Sequence, residues 1–267
     1  MRKECPAHQN SPYWDQQANQ FAADHFQETI AQYKKREHLE MILSWYQSDQ
    51  GARILKTDLF EEAHGRDSFI PELETRFNNI VAIDISAEVV RRARSHFPGH
   101  NFFVSDVASL ALPTNHFDLI ISTSTLDHLI PERFESALDE LNRVLKPGGC
   151  LIITLDNKHN PLHRLSHWLR KLWGWYYIDR CFALRPTSQM LTRHGFRITA
   201  HTAIYHVPFL VNLITKKVQP RLGSGGNRML RAAIAGFGSL NRLPSRFFTG
   251  RYLALRAVKA DDHEKSF

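Results

Sequence analysis

Cysteine is scarce in this chain: three in 267 residues, Cys5, Cys150 and Cys181, far apart along the sequence. That excludes a disulfide framework and a cysteine-built zinc site, and it sets the expectation of reduced thiols in a cytoplasmic setting, with no metal. Long apolar runs are missing too. No window reaches the roughly 18 uninterrupted apolar residues that a membrane-spanning helix requires, and the opening MRKECPAHQN lacks the apolar core of a secretion signal. Internal repeats and low-complexity tracts are likewise absent. With 43% hydrophobic and 23% charged residues, the composition is that of a folded globular protein and not of a disordered chain.

The scarcity of acid in the second half says more. Residues 1–156 hold 15 basic and 23 acidic side chains, a net of −8, whereas residues 157–260 hold 18 basic and one acidic, Asp179, a net of +17. The tail after 260 contributes −2, and the whole chain carries +7. Part of the basic block can neutralise the acidic half across their interface. The remainder attracts anionic partners: lipid headgroups, nucleic acid or phosphorylated ligands.

From Glu28 to Tyr46, apolar residues such as Ile30, Tyr33, Met41, Ile42 and Trp45 recur mostly at three- and four-residue spacings, which predicts an amphipathic helix. Beyond it, short apolar runs at 52–55, 80–85, 102–104, 117–122 and 151–155 alternate with helical stretches. The helix opening at Pro131 carries Phe134, Leu138, Leu141 and Leu145 on one face and is expected to stop at Lys146, Pro147, Gly148 and Gly149. Strand, helix, strand in alternation predicts a parallel sheet covered on both faces.

Ligands of such sheets sit beyond the carboxyl ends of the strands. There the sequence places Asp58, Asp84, Asp106 and the pair Ser122 and Thr123, one position for each successive strand. An aspartate in such a place commonly caps a helix or makes a turn. In an ordered set, a carboxylate ending the second strand can accept from both ribose hydroxyls of an adenosine, and one after the third can accept from an exocyclic amine. An adenosine-containing cofactor is the expectation.

VAIDISAEVVRRAR from Val81, FFVSDVASLALPTNHFDLIISTSTLDHL from Phe102 and LNRVLKPGGCLIITLDN from Leu141 resemble the class I S-adenosylmethionine-dependent methyltransferases. The resemblance covers about residues 50–156, with a closing strand pair at 196–202 and 251–258. It implies an α/β fold: a Rossmann-like, doubly wound, mostly parallel sheet with an antiparallel closing pair and helical N-terminal and lid extensions. It further implies S-adenosylmethionine as cofactor, with Asp84 on the ribose, Ile85 near the adenine, Asp106 and Val107 at the adenine edge, and Ser122 and Thr123 facing the methionine portion.

One stretch departs from the family. Its first loop is normally rich in glycine, and here ILKTDLFEEAHG has Gly65 alone, with Lys56 where an acid is usual. Glycine lets a backbone approach a ligand closely, so this loop is expected to be reshaped around Asp58, Leu59 and Phe60. Because S-adenosylmethionine carries an ammonium and a sulfonium, Asp58 or Glu61 can replace the lost acid. The same loop lacks the fingerprint that a pyrophosphate needs, which argues against a nicotinamide dehydrogenase.

The expected organisation is a helical extension over 1–49, a methyltransferase domain over 50–260 and a tail over 261–267. Within the domain, 156–195 would form a lid over the acceptor, and 207–250 a basic helical insertion. The lid segment interleaves Trp168, Trp173, Trp175, Tyr176, Tyr177 and Phe182 with Arg164, Arg170, Lys171 and Arg180. Rings among basic side chains suit a membrane interface, a flat apolar acceptor or stacked bases. The reading is methyl transfer to a small apolar or lipid-like acceptor, such as a phenolic or quinone precursor. Where a hydroxyl must lose its proton, His128 is the first candidate base and His159 the second. Peripheral contact with an anionic inner membrane surface is expected if the basic helices face outward. RNA methylation and a non-catalytic binding protein remain the alternatives, and the oligomeric state is open.

Overall fold

The computed structural model describes residues 11–20, 28–47, 50–64, 67–172 and 180–260. Its centre is a seven-stranded sheet of order β3-β2-β1-β4-β5-β7-β6. The strands are β1 (Arg53–Lys56), β2 (Asn79–Asp84), β3 (Asn101–Val104), β4 (Phe117–Thr123), β5 (Leu145–Asp156), β6 (Phe196–Ile204) and β7 (Tyr252–Lys259). The first five are parallel, with Leu55 opposite Val81 on one side and Ile120 on the other. β7 runs antiparallel to both β5 and β6, which forms the expected closing pair.

Pairs such as Ile120–Ile121 and Ile152–Ile153 are fully buried because both faces of the sheet are covered. Helices α2 (Glu28–Trp45), α3 (Phe60–His64), α4 (Ile70–Leu73) and α5 (Ala87–His96) accompany one core, and α6 (Pro131–Val144) and α8 (Leu184–Arg193) the other. Local chemistry fixes their ends. Ser86 caps α5 by accepting from the Val89 N–H at 3.1 Å, and Pro131 starts α6, whose Phe134, Leu138 and Leu141 are fully buried.

β5 begins at Leu145, six residues before the expected Leu151. Leu145 pairs with Phe117, the register shifts, and Cys150 resumes opposite Leu119. The Lys146–Gly149 stretch that reads as a stop is therefore an irregular strand start, pinned by the Lys146 ammonium 2.6 Å from Asp118. Gly149 is required there, since a Cβ would lie 2.8 Å from the Leu145 side chain and from the Lys146 carbonyl.

Beyond β5 the chain adds α7 (Pro161–Leu172), α9 (Phe209–Val218), α10 (Ser224–Gly236) and α11 (Arg246–Thr249). Trp173, Trp175, Tyr176, Tyr177 and Asp179 lie outside the described residues. Among the described residues, no helix is long and apolar enough to cross a membrane.

His38 on α2 is completely buried, donates from Nδ1 to the Lys34 carbonyl at 2.8 Å and packs on the rings of Phe69 and Tyr252. Burial, reinforced by the Lys34 charge, lowers its pKa to about 4. Unfolding releases it to an ordinary imidazole, so between pH 6.5 and 4 the unfolded chain binds the extra proton and stability falls as pH falls. From pH 7 to pH 5 this group alone removes about 2 kcal/mol. Urea denaturation at the two pH values is expected to show a smaller loss in His38→Phe than in the unsubstituted chain.

Candidate functional site

The strand order reverses between β1 and β4: the chain leaves β1 towards β2 and β3, then returns to the other side of β1. A crevice forms at such a switch point, outside the carboxyl ends of the strands. Asp84, ending β2, accepts from the Ser86 N–H through Oδ1 at 2.9 Å and from the Leu59 N–H through Oδ2 at 3.0 Å. Burial pushes its pKa up to about 6, against the two N–H donors and the Lys56 charge. Ile85 beside it is half-buried.

After β3, Asp106 accepts from the Ala108 N–H through Oδ1 at 2.9 Å, and its Oδ2 takes the Arg133 guanidinium. Val107 is buried in the core that holds α6. At the end of β4, Ser122 is fully buried and accepts from the Thr57 hydroxyl at 2.9 Å, while Thr123 donates to Asp58 Oδ2 at 3.3 Å. The chain then passes through Ser124 at φ 51, a left-handed conformation uncommon outside glycine.

The glycine-poor loop is organised around charge. The Lys56 ammonium, wholly buried, lies 3.0 Å from Asp58, 2.9 Å from Glu62 and 3.7 Å from Glu61. It also donates to the Asp58 carbonyl at 2.8 Å. Lys34, reaching in from α2, lies 3.0 Å from Glu61 and 3.8 Å from Asp67. Glu62 accepts from the Phe69 N–H at 3.0 Å, which ties the loop to α4. Bulky side chains in this loop pack against the protein: Leu59 is fully buried in the core, and half-buried Phe60 packs against it and lies tilted on His64 with ring centroids 4.3 Å apart. Gly65 lies outside the described residues.

Four carboxylates therefore surround two ammonium groups. Burial raises Asp58 well above the usual carboxylate range, opposed by Lys56 and reinforced by Glu61. Burial opposes ionisation of Glu61 as well, but Lys34 and Lys56 outweigh it and hold Glu61 well below that range. Asp58, Glu61 and Glu62 converge closely enough to ligate a metal ion, and the Lys56 ammonium already stands among them as the compensating cation.

Several participants gave no sign in the sequence. α1 (Ser11–Gln20) lies from the β2 end to the β4 end. Asp15 Oδ1 accepts from the Ser86 hydroxyl at 2.5 Å and the Glu88 N–H at 3.1 Å, and the Trp14 ring packs 5.0 Å from His128. Such contacts between residues more than 70 positions apart have no local pattern to read. A second buried group closes β5, where Asp156 Oδ2 meets His163 Nε2 at 3.0 Å and its Oδ1 lies 3.5 Å from Arg251. Of the two candidate bases, His128 is half-buried under Trp14, and His159 is exposed at the start of the α7 region, 6.3 Å from the Phe248 ring.

The donor set fits S-adenosylmethionine. The four carboxyl groups around Lys34 and Lys56 outnumber the two ammonium groups, a balance that suits the cofactor's positive groups, and Asp84 keeps lone pairs for ribose hydroxyls beyond the two it gives to backbone N–H groups. Because Leu59 points into the core, the loss of glycine has not filled the crevice with that side chain.

Comparison with known proteins agrees with the architecture. Residues 60–153 match the family described as methyltransferase domain. The chain is 29% identical over 140 residues to the malonyl-[acyl-carrier protein] O-methyltransferase of Methylococcus capsulatus, covering 50% of each chain. It is 39% identical over 87 residues to the trans-aconitate 2-methyltransferase of Methylobacterium nodulans, covering 32% of this chain and 33% of that one. The chain spans about half the length, 51%, of the first curated relatives it matches. In three dimensions it superposes on a chain of the Haloferax volcanii complex with the Trm112 methyltransferase activator, at a TM-score of 0.62 and 16% identity, covering 91% of this chain and 98% of that one. Residues 60–153 thus match a methyltransferase domain, and the sheet built around that stretch has the fold of solved S-adenosylmethionine-dependent methyltransferases.

Proposed function

We propose that this chain transfers a methyl group from S-adenosylmethionine to a small apolar or lipid-like acceptor, such as a phenolic or quinone precursor. The observation that supports the transfer reading is the placement of Asp58, Asp84, Asp106 and Thr123 one after each of four adjacent parallel strands, at their carboxyl ends. When bound, the cofactor supplies a methyl group already activated on a sulfonium. The protein's share is to hold, align and exclude water.

In this reading Asp84 accepts from the ribose hydroxyls, Asp106 from the adenine amine, and the Asp58–Glu61 pair receives the ammonium in place of the acid that Lys56 replaced. Val107 and Ile85 give the adenine apolar surfaces, and Ser122 and Thr123 border the methionine end. α1, anchored through Asp15 and Trp14, keeps water from the crevice. For a hydroxyl acceptor, we assign His128 to receive the proton. An apolar acceptor is favoured by the exposed rings and aliphatic side chains of the segment after β5, Trp168 and Phe248 among them.

Titration calorimetry with S-adenosylmethionine and its demethylated product tests the cofactor reading, and methyl transfer to phenolic and lipid-extract fractions tests the acceptor. Heat with both ligands is expected. No heat and no thermal shift would leave a non-catalytic binding protein on this fold, and methylation of RNA instead of small acceptors would replace the acceptor reading. Asp106→Ala is expected to weaken cofactor binding about tenfold, the loss of one hydrogen bond to a charged acceptor. The effect stays moderate because Asp106 is partly exposed and already shared with Arg133.

A further inference from the structure

Among the described residues, most of the exposed large apolar side chains lie in the helical segments after β5, Phe103 and Val104 on β3 being the exceptions. On α7 they are Leu162, Leu165 and Trp168, 51–58% exposed and three residues apart, so they share one face. The opposite side of α7 is anchored inward by buried His163 on Asp156. On α9, Ile214 and Val218 are exposed four residues apart, while Thr215 between them is buried. Phe248 on α11 is 61% exposed and Met229 on α10 is 76% exposed. α7 packs against both α9 and α11, and α10 connects to α11 through the Phe237–Arg242 turn that both of them touch, so the four helices form one connected layer.

The charge on these helices has one sign. Arg164, Lys217, Arg228 and Arg231 are exposed on the same helices as the apolar side chains, and residues 180–260 contain no aspartate or glutamate. Neutralisation across the interface with the acidic half does not account for these groups, because they face solvent. Aliphatic side chains dominate the apolar set, and leucine, isoleucine, valine and methionine cannot stack on bases as a nucleic-acid platform requires. Apolar side chains rimmed by lysine and arginine, with a tryptophan at the margin, are the chemistry of a helix face that lies in the headgroup region of a bilayer.

We propose that α7, α9, α10 and α11 dock the protein on an anionic membrane surface, so that the lipid-like acceptor is taken from the bilayer. The second half of that statement rests on the methyltransferase reading, and the docking itself does not. The same helices follow β5 and precede β7, and α7 is tied by His163 to Asp156 at the carboxyl end of β5. Docking this face therefore brings the crevice end of the sheet towards the lipid.

The test is cosedimentation of the full chain, without cofactor, with vesicles of phosphatidylglycerol mixed with phosphatidylcholine and with vesicles of phosphatidylcholine alone. Binding to the anionic vesicles, weakened by added salt, is expected. Arg228→Gln combined with Arg231→Gln should lower the partition constant about 25-fold, at roughly fivefold for each charge. Leu165→Ser with Trp168→Ser should lower it about tenfold or more, through loss of buried apolar area. All four side chains are exposed, so the melting temperature should be preserved and loss of binding can be assigned to the surface.

Equal partition into neutral and anionic vesicles, or none, would overturn the proposal. So would a dimer in light scattering that Trp168→Ser dissociates, or retention on RNA at physiological salt that survives Leu165→Ser with Trp168→Ser. The cofactor titration is read separately, so a chain that binds vesicles but no cofactor, or cofactor but no vesicles, identifies which of the two readings has failed.

Discussion

Replacing Asp84 by Asn is expected to weaken the binding of S-adenosylmethionine and of its demethylated product by at least about a hundredfold. Two ribose hydroxyls donating to a carboxylate are charge-assisted bonds, worth roughly 1.5–3 kcal/mol each. The amide keeps the shape but offers one acceptor oxygen where the carboxylate offers two. One of the Ser86 and Leu59 N–H groups also loses its partner, so a drop in stability of about 1 kcal/mol should accompany the loss of affinity. Binding heat indistinguishable from that of the unsubstituted chain would remove Asp84 from the site.

The same carboxylate gives the site a pH dependence. In the free protein Asp84 is raised from 3.8 to about 6. Hydrogen bonds from ribose favour its ionised form, so binding expels a proton below that pKa. Affinity should then fall by up to about tenfold per pH unit below 6 and level off above it. Calorimetry at pH 5.5 in buffers of different ionisation enthalpy detects the released proton. Stability has its own sign: between 3.8 and about 6 the folded chain keeps a proton that the unfolded chain has lost, so Asp84 makes stability fall as pH rises through that window. His38 acts in the opposite sense over nearly the same range, and the unsubstituted chain is expected to show less pH dependence there than either group alone would impose.

How much of this was legible in the sequence depended on whether the information was local. Ile54, Ile80, Ile83, Leu119 and Ile120 announce strands because a parallel sheet buried on both faces needs nearly continuous apolar runs. The aspartates after them are legible because each follows its own strand. The early start of β5 was hidden, since Lys146, Pro147, Gly148 and Gly149 have the chemistry of a stop and are held extended only by pairing of Leu145 with Phe117. The partners of Lys56 at Asp58 and Glu62 are close in sequence, yet nothing local tells that this lysine is buried or that Lys34 joins it from another helix. Asp15 and Trp14 were invisible for the same reason: their role exists only once α1 has crossed the strand ends.

The glycine-poor loop yields the largest expected effect on stability. Lys56→Met should destabilise the fold by about 3–5 kcal/mol, because it strands Asp58, Glu61 and Glu62 without the cation they enclose. At roughly 2–4 °C for each kcal/mol in a chain of this size class, the melting temperature should drop by about 10 °C. The loss belongs to the unpaired charges and not to the missing lysine packing, since methionine fills a similar volume in the apolar surroundings of Phe69. That distinction is measurable. In Lys56→Met with Glu62→Gln, one stranded charge is gone, while the amide oxygen can still accept from the Phe69 N–H. The double variant should regain about 2 kcal/mol over Lys56→Met, so the cycle should show strong coupling between the two positions. If Lys56→Met melts with the unsubstituted chain, the charge network is not what shapes the glycine-poor loop, and the accommodation of the missing acid through Asp58 and Glu61 loses its physical basis.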